Sequence, residues 1–124
     1  MITWFSKTDI KAIATISTTN IIVNKVGSKY LEQAYFVQLG LDKQNKQIII
    51  HPLTKQEADL NLIEQDSLFK LSIHSSYARI SSTAFINFIS ETFSIKYNKN
   101  GTKYICNYDL NNKNLVIDLS KEVK

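Results

Sequence analysis

The sequence predicts an α+β domain, in which two βαββ-like repeats form a pseudo-twofold, mainly antiparallel sheet with short helices packed on it. The first observation behind this is an internal match. "IATISTTNIIVNK" (13–25) returns as "YARISSTAFINFI" (77–89): Ala14, Ile16, Ser17 and Thr19 recur as Ala78, Ile80, Ser81 and Thr83, and Thr18 becomes Ser82. The second is a matching end. "DKQNKQIII" (42–50) lies over "DLNNKNLVI" (109–117), so that Asp42, Asn45, Lys46 and Ile50 recur as Asp109, Asn112, Lys113 and Ile117. A short insertion near 98–101 accounts for the change of offset between the two matches. The third is composition: segments rich in branched and aromatic residues, suited to a pleated surface, are separated by Asn-rich turns.

Each repeat opens with a strand. "ITWFS" (2–6) matches "LFKLSI" (68–73), with Phe5 over Phe69. A second strand comes at 12–17 and 76–81, assigned on β-branched content. Hydroxyl residues come next, at 17–19 and at their counterparts 81–83. Their side-chain oxygens can accept from the orphan N–H groups of a helix start. A short helix is expected in both repeats. Phe85, Ile86, Phe88, Ile89 and Phe93 have helical spacing, as do Ile21, Ile22 and Val26, with Tyr30 and Leu31 continuing that face beyond Gly27.

A hairpin closes each repeat: "AYFVQLGLD" and "QIIIHPL" around "KQNK", then "TKYICNYDL" and "NLVIDLS" around "NNKN". Asn in such turns tolerates positive φ. Along 103–108, Lys103, Ile105 and Asn107 define one face of a strand, and Tyr104, Cys106 and Tyr108 the other; which face is buried stays open at this stage. The single domain is thus two repeats, about 2–53 and 66–119, joined by a polar connector, 54–65. Thr54 with Glu57 makes a capping box there and predicts a helix from about Lys55 to Ile63. Two copies of such a unit can hide their apolar faces on each other, as the halves of a symmetric dimer do. Thr15 aligns with Arg79, His51 with Asp118 and Gly40 with Asn107, so a site on the axis would be lopsided.

The chain has 124 residues, one small domain by length, with 44% hydrophobic and 21% charged residues, ordinary globular values. A chain of this size buries about two-thirds of its unfolded surface and can fold without staples. Cys106 is the single cysteine, so no intrachain disulfide forms. That favours a reducing compartment. Lys7, Asp9 and Lys11 interrupt the N-terminus before any targeting-length apolar run, and the longest aliphatic runs are far short of a membrane span. The reading is a soluble, cytoplasmic protein without a membrane partner. The net charge is +4 and every cation except Arg79 is lysine. Lysine acts as a point charge on phosphate, whereas arginine supplies the fork that reads base edges. A solvated, lysine-rich surface is the plainer alternative.

Chemistry-bearing motifs are few. Gly27, Gly40 and Gly101 stand far apart, so there is no glycine-rich phosphate loop. His51 and His74 are distant in the sequence and lack partners at metal-ligand spacing. No Gly-x-Ser-x-Gly elbow is present. Cys106 reads as an apolar strand residue rather than a nucleophile. Glu57, Asp59, Glu64 and Asp66 read as a solvated acidic face. Trp4 and Tyr35 can pack at the core or edge, or stack on bases. Neither a metal, nor a cofactor, nor an enzyme is expected.

The stretch "ARISSTAF" (78–85) resembles the strand-to-helix passage of AbrB- and MraZ-type swapped-hairpin DNA-binding domains, which show Gly-Arg-Ile/Val-x-Ile-Pro before a helix. Arg79 and Ile80 fit that pattern; Ala78 stands at the glycine position, and Ser82 and Thr83 stand where proline is expected. The MraZ type carries two copies, and the resemblance implies DNA binding. Val37, Leu39, Asp42, Ile48, Ile50 and Pro52, with Ile80, Ser81 and Phe85 in the second half, are similar to small duplicated proteins of bacteria and phages with no assigned activity. The expected function is a non-enzymatic binding module, a small regulator that binds DNA or RNA through Lys7, Lys11, Lys25, Lys29, Lys70 and Arg79 around the strand–helix junctions. The alternative is a protein-interaction or assembly module, a homodimer included, that uses an exposed sheet edge.

Overall fold

Alternating burial sets the strands. β1 (Ile13–Ile16) and β2 (Asn20–Asn24) each alternate half-buried with buried residues, the period of a strand that covers a core on one face. The computed structural model describes residues 1–2, 11–60 and 64–123. Within them α1 (Lys25–Ser28) comes directly after β2 and continues into a 3₁₀ turn, Lys29–Leu31. β3 (Phe36–Asp42) and β4 (Gln47–Leu53) form a hairpin. α2 (Lys55–Leu60) leads to two short strands, β5 (Phe69–Lys70) and β6 (Ser72–Ile73). β7 (Tyr77–Ser81) and α3 (Thr83–Phe93) precede a second hairpin, β8 (Thr102–Asp109) and β9 (Asn114–Val123). The architecture is α+β, mainly antiparallel, with few and short helices. None of the described helices is long and apolar enough to cross a membrane.

All strands belong to one sheet in the order β5-β3-β4-β9-β8-β1-β2-β7-β6. Its two end strands are neighbours in the chain, with only Leu71 between them. β5 pairs with β3 and β6 pairs with β7, so this one segment bridges both edges and curls the sheet towards a barrel. Curling gathers the inward residues into a single interior. Ile16, Ile21, Val23, Val37, Ile48, Ile50, Ile80, Leu115 and Ile117 are all essentially inaccessible. Phe85, Ile86 and Ile89 add one face of α3 to the same core. Each such side chain contributes about 1.5–3 kcal/mol by leaving water.

The hairpins β3–β4 and β8–β9 share their turn. Asp42 accepts from the N–H and the side-chain amide of Asn45, and Asp109 does the same for Asn112. Lys46 and Lys113 then take φ of 56° and 57°. β4 and β9 lie side by side with Ile48 opposite Ile117, Ile49 opposite Val116 and Ile50 opposite Leu115.

Several expectations are corrected. The helix expected around Ile21 and Ile22 is strand β2. Three consecutive β-branched residues favour extended backbone, and as a strand they bury Ile21 and Val23 on one face. Ser17 is no helix cap: its N–H and hydroxyl donate to the Asn20 carbonyl in the β1–β2 turn, and Asn24 caps α1 instead. The strand expected over 68–73 is broken into β5 and β6 because it serves two edges. Phe88, read as part of the apolar helix face, is more than half exposed, and Tyr30 is 45% exposed.

Other expectations match what the chain does. Ser82 caps α3, accepting from the Phe85 N–H at 3.2 Å. The Thr54–Glu57 box forms in both directions, at 3.0 and 3.1 Å, and starts α2. Its described helical residues end at Leu60. Tyr104 and Cys106 are the buried face of β8, with Lys103 and Asn107 outside. The strand expected at 2–6, with Trp4 and Phe5, and the helix end at Ile63 lie outside the described residues.

Candidate nucleic-acid interface

A pair of stacked tyrosines marks the site. Asn24 prepares it by holding three parts of the backbone together. Its side-chain oxygen accepts from the N–H groups of Gly27 and Ile13, and its amide donates to the Lys11 carbonyl. This ties the start of β1 to α1. Gly27 lets α1 lie close on β2, because a Cβ there would run into the Val23 side chain. Leu31, fully buried, anchors the 3₁₀ turn and leaves Tyr30 at the surface. Tyr108 approaches from the end of β8. The two rings are 4.3 Å apart and 9° from parallel, an arrangement stabilising beyond its buried area.

The pair stands between hollows. A cavity of about 180 Å³ is lined by both tyrosines, by Lys29, Gln33, His51, Glu57 and Lys113, and by an apolar floor of Ala34, Pro52 and Leu53. On the β8 side, the same tyrosines line a hollow with Lys11, Asn107 and Lys121. On the β3–β4 side, His51 is shared with a hollow that contains Gln38, Gly40, Asn112 and Asn114. The three hollows adjoin through these shared side chains and are together termed the groove.

Polar groups along the groove are fixed in place. His51 Nδ1 and Asn114 Oδ1 are 2.7 Å apart, and because an amide oxygen accepts, this contact takes the His51 tautomer that carries a hydrogen on Nδ1. The Glu57 carboxyl is held below its ordinary range, first by the backbone N–H of Thr54, then by the Thr54 side chain. Burial opposes this in part, and Lys113 and His51 add smaller favourable effects. Lys11, Lys29, Lys113 and Lys121 line the groove against one carboxylate, Glu57. Lys121 also reaches to 3.9 Å of Asp118. Asp118 is buried and takes the N–H and hydroxyl of Ser120, which hold its carboxyl low.

Of the residues expected to bind, Lys11 and Lys29 line this groove. Lys25 is exposed on α1, in the same short helical segment as Lys29. Lys70 sits on β5 opposite Phe36, and Arg79 is half-buried on β7 beside Ile22 and Ser72; neither lines the groove. Lys7 and Trp4 lie outside the described residues. Tyr35 is half-exposed, edge-on to Phe36, with Lys55 over its ring at 5.8 Å. Sequence reasoning missed Tyr30, Tyr108, Lys113 and Lys121 as site residues, and placed His51 and Glu57 in other roles. Gly27 lies inside α1, and the helical segment runs on from it into the 3₁₀ turn that carries Tyr30.

Other reactive groups lie elsewhere. Burial pushes the Cys106 thiol up to about 12, which keeps it protonated and inert near neutrality. The Tyr97 and Tyr104 hydroxyls pair with each other at 3.2 Å, and burial raises both. His74 stacks on Tyr77 at 4.4 Å, apart from His51. Among the described residues no cluster of three or more His, Cys, Asp or Glu side chains could hold a metal ion. In comparison with known proteins, no family model matches the chain, and neither a curated protein nor a solved structure matches it significantly.

Proposed function

We propose that the chain is a non-enzymatic binding module that holds a single strand of DNA or RNA in the tyrosine groove. The observation that carries this is the stacked Tyr30–Tyr108 pair, set in a groove with four lysines and one carboxylate. Unpaired bases stack on aromatic rings at about 1–3 kcal/mol each, while lysines track the phosphates. The central cavity is too small for a duplex but admits one planar ring. An anisotropy titration of labelled single strands over a salt series tests this. If all four lysines neutralise phosphates, log K falls against log salt with a slope of about −3. Tyr30→Ala weakens binding with little change of slope, and Lys29→Ala lowers the slope. A complete lack of salt-sensitive binding to any DNA or RNA overturns the reading.

The same reading takes the two hairpins as copies of one ancestor. Their common Asp–Asn turns support this, as does the β4–β9 register, in which Ile48–Ile117 and Ile50–Leu115 exchange places when one hairpin is laid on the other. A second reading, assembly through a sheet edge, is favoured by β3. β5 covers only Phe36 and Val37, so among the described residues Gln38 to Asp42 have no strand on that side. A stable oligomer in gel filtration, without nucleic-acid affinity, supports that alternative.

A further inference from the structure

We infer that the central cavity reads guanine, and that Glu57 is the residue that selects it. The inference rests on the single-strand reading and names the base for that site. At about 180 Å³ the cavity falls below the roughly 300–1,000 Å³ of pockets for drug-sized ligands. Its tyrosine wall and its floor of Pro52 and Leu53 suit the faces of one base. Recognition must then come from the rim, where Watson–Crick edges of unpaired bases are read.

Glu57 is the one carboxylate on that rim. An ionised carboxylate only accepts hydrogen bonds, and Glu57 is kept ionised and aimed by Thr54, whose N–H binds Oε1 at 3.0 Å. A carboxylate has about four lone-pair sites, and those that Thr54 does not take are available to a ligand. Guanine alone among the common bases offers two adjacent donors, N1–H and the 2-amino group, beside an acceptor, O6. Lys113, which lines the same cavity as Glu57, supplies the donor for O6. Adenine, cytosine, thymine and uracil each turn a lone pair towards one carboxylate oxygen; Glu57 is exposed in the free chain, and a seated base that shields it from water leaves those two acceptors facing each other without a hydrogen.

The test uses short single strands that differ only in one central base, with GMP as a competitor, against the wild-type chain and Glu57→Gln. Glutamine still satisfies the capping box, so α2 is kept. The expected result is roughly tenfold tighter binding of the guanine strand, within the range of a good paired contact, and loss of that preference in Glu57→Gln. Competition by GMP would show that the free nucleotide also fits; no competition would assign the pocket to a strand. Equal affinity for all four bases, or a preference that survives Glu57→Gln, overturns the inference and leaves the single-strand reading standing. If no strand binds but GMP does, in a Glu57-dependent way, the pocket stands and the strand reading falls. If neither binds, both fall.

Discussion

After β1 the chain reverses into a second strand; after β7, from almost the same lead-in, it enters an eleven-residue helix. The divergence begins at the hydroxyl residues. Ser17 turns its hydroxyl to Asn20 and closes a tight reversal. Ser82 turns its own to the Phe85 N–H and opens α3. The residues downstream decide between the two outcomes. Ile21, Ile22 and Val23 are stiff, β-branched and strand-favouring, whereas Phe85, Ile86 and Ile89 bury an apolar stripe at helical spacing. The strand outcome has a functional consequence. β2 slots between β1 and β7, and the chain then has to turn through α1, which is what delivers Lys29 and Tyr30 to the groove. The helix outcome sends the corresponding stretch into the core. Two near-identical lead-ins thus produce one wall of the groove and one packing helix.

Ile22 and Ile86 hold the same place in the repeated motif and make the sharpest test of that difference. Ile86 is 2% exposed in the core under α3, while Ile22 faces outward, half-buried, on β2. Ile86→Ala is expected to cost about 2–5 kcal/mol through lost burial and the cavity left behind. Ile22→Ala is expected to cost about 1 kcal/mol or less, in proportion to its smaller burial. Urea unfolding of the two variants measures both. Equal losses would mean that the two stretches share one environment and that the strand–helix contrast is wrong.

How much of this the sequence announces depends on the range of the interaction. Turns and caps are local, so Asp42–Asn45, Asp109–Asn112, Thr54–Glu57 and Ser82 could be read directly from spacing. The hairpins emerge from branched residues flanking those turns. β2 was legible in its three β-branched residues but was masked by analogy with the second repeat, where the same offset holds a helix. The closure through residues 69–73 could not be read, because it depends on two edges meeting through one short segment. The groove was hidden for a similar reason: Tyr30 and Tyr108 are far apart in the chain and meet only because β1 brings β8 beside α1. Arg79 is the opposite case. Its resemblance to a DNA-binding motif drew attention, yet on β7 it lies between Ile22 and Ser72, off the groove.

The caps sharpen the comparison at smaller scale. Ser82→Ala removes the acceptor for the Phe85 N–H and is expected to cost about 1 kcal/mol. Thr18, at the matching place in the sequence, is exposed in the β1–β2 turn. Thr18→Ala is expected to stay within about 0.5 kcal/mol of the parent. Thermal or urea unfolding distinguishes the two. A loss at Thr18 matching that at Ser82 would assign Thr18 a capping role that the β1–β2 turn does not provide.

The smallest effects come from the two hairpin turns, which match in backbone but differ in what surrounds them. Lys46 and Lys113 both sit at positive φ, where a side chain costs roughly 1 kcal/mol relative to glycine. Glycine also loosens the unfolded chain, which offsets part of the gain. Lys46→Gly and Lys113→Gly are therefore each expected to stabilise by a few tenths of a kcal/mol up to about 1, and by nearly the same amount. Their functional effects should separate. Lys113 lines the central cavity and Lys46 does not line it. Lys113→Gly should weaken single-strand binding and, through the charge lost from the groove, reduce the salt slope by up to about 0.7. Lys46→Gly should leave both unchanged. Equal losses of binding in the two variants would mean that the lysines act through net charge alone, and that the groove does not set where the strand lies.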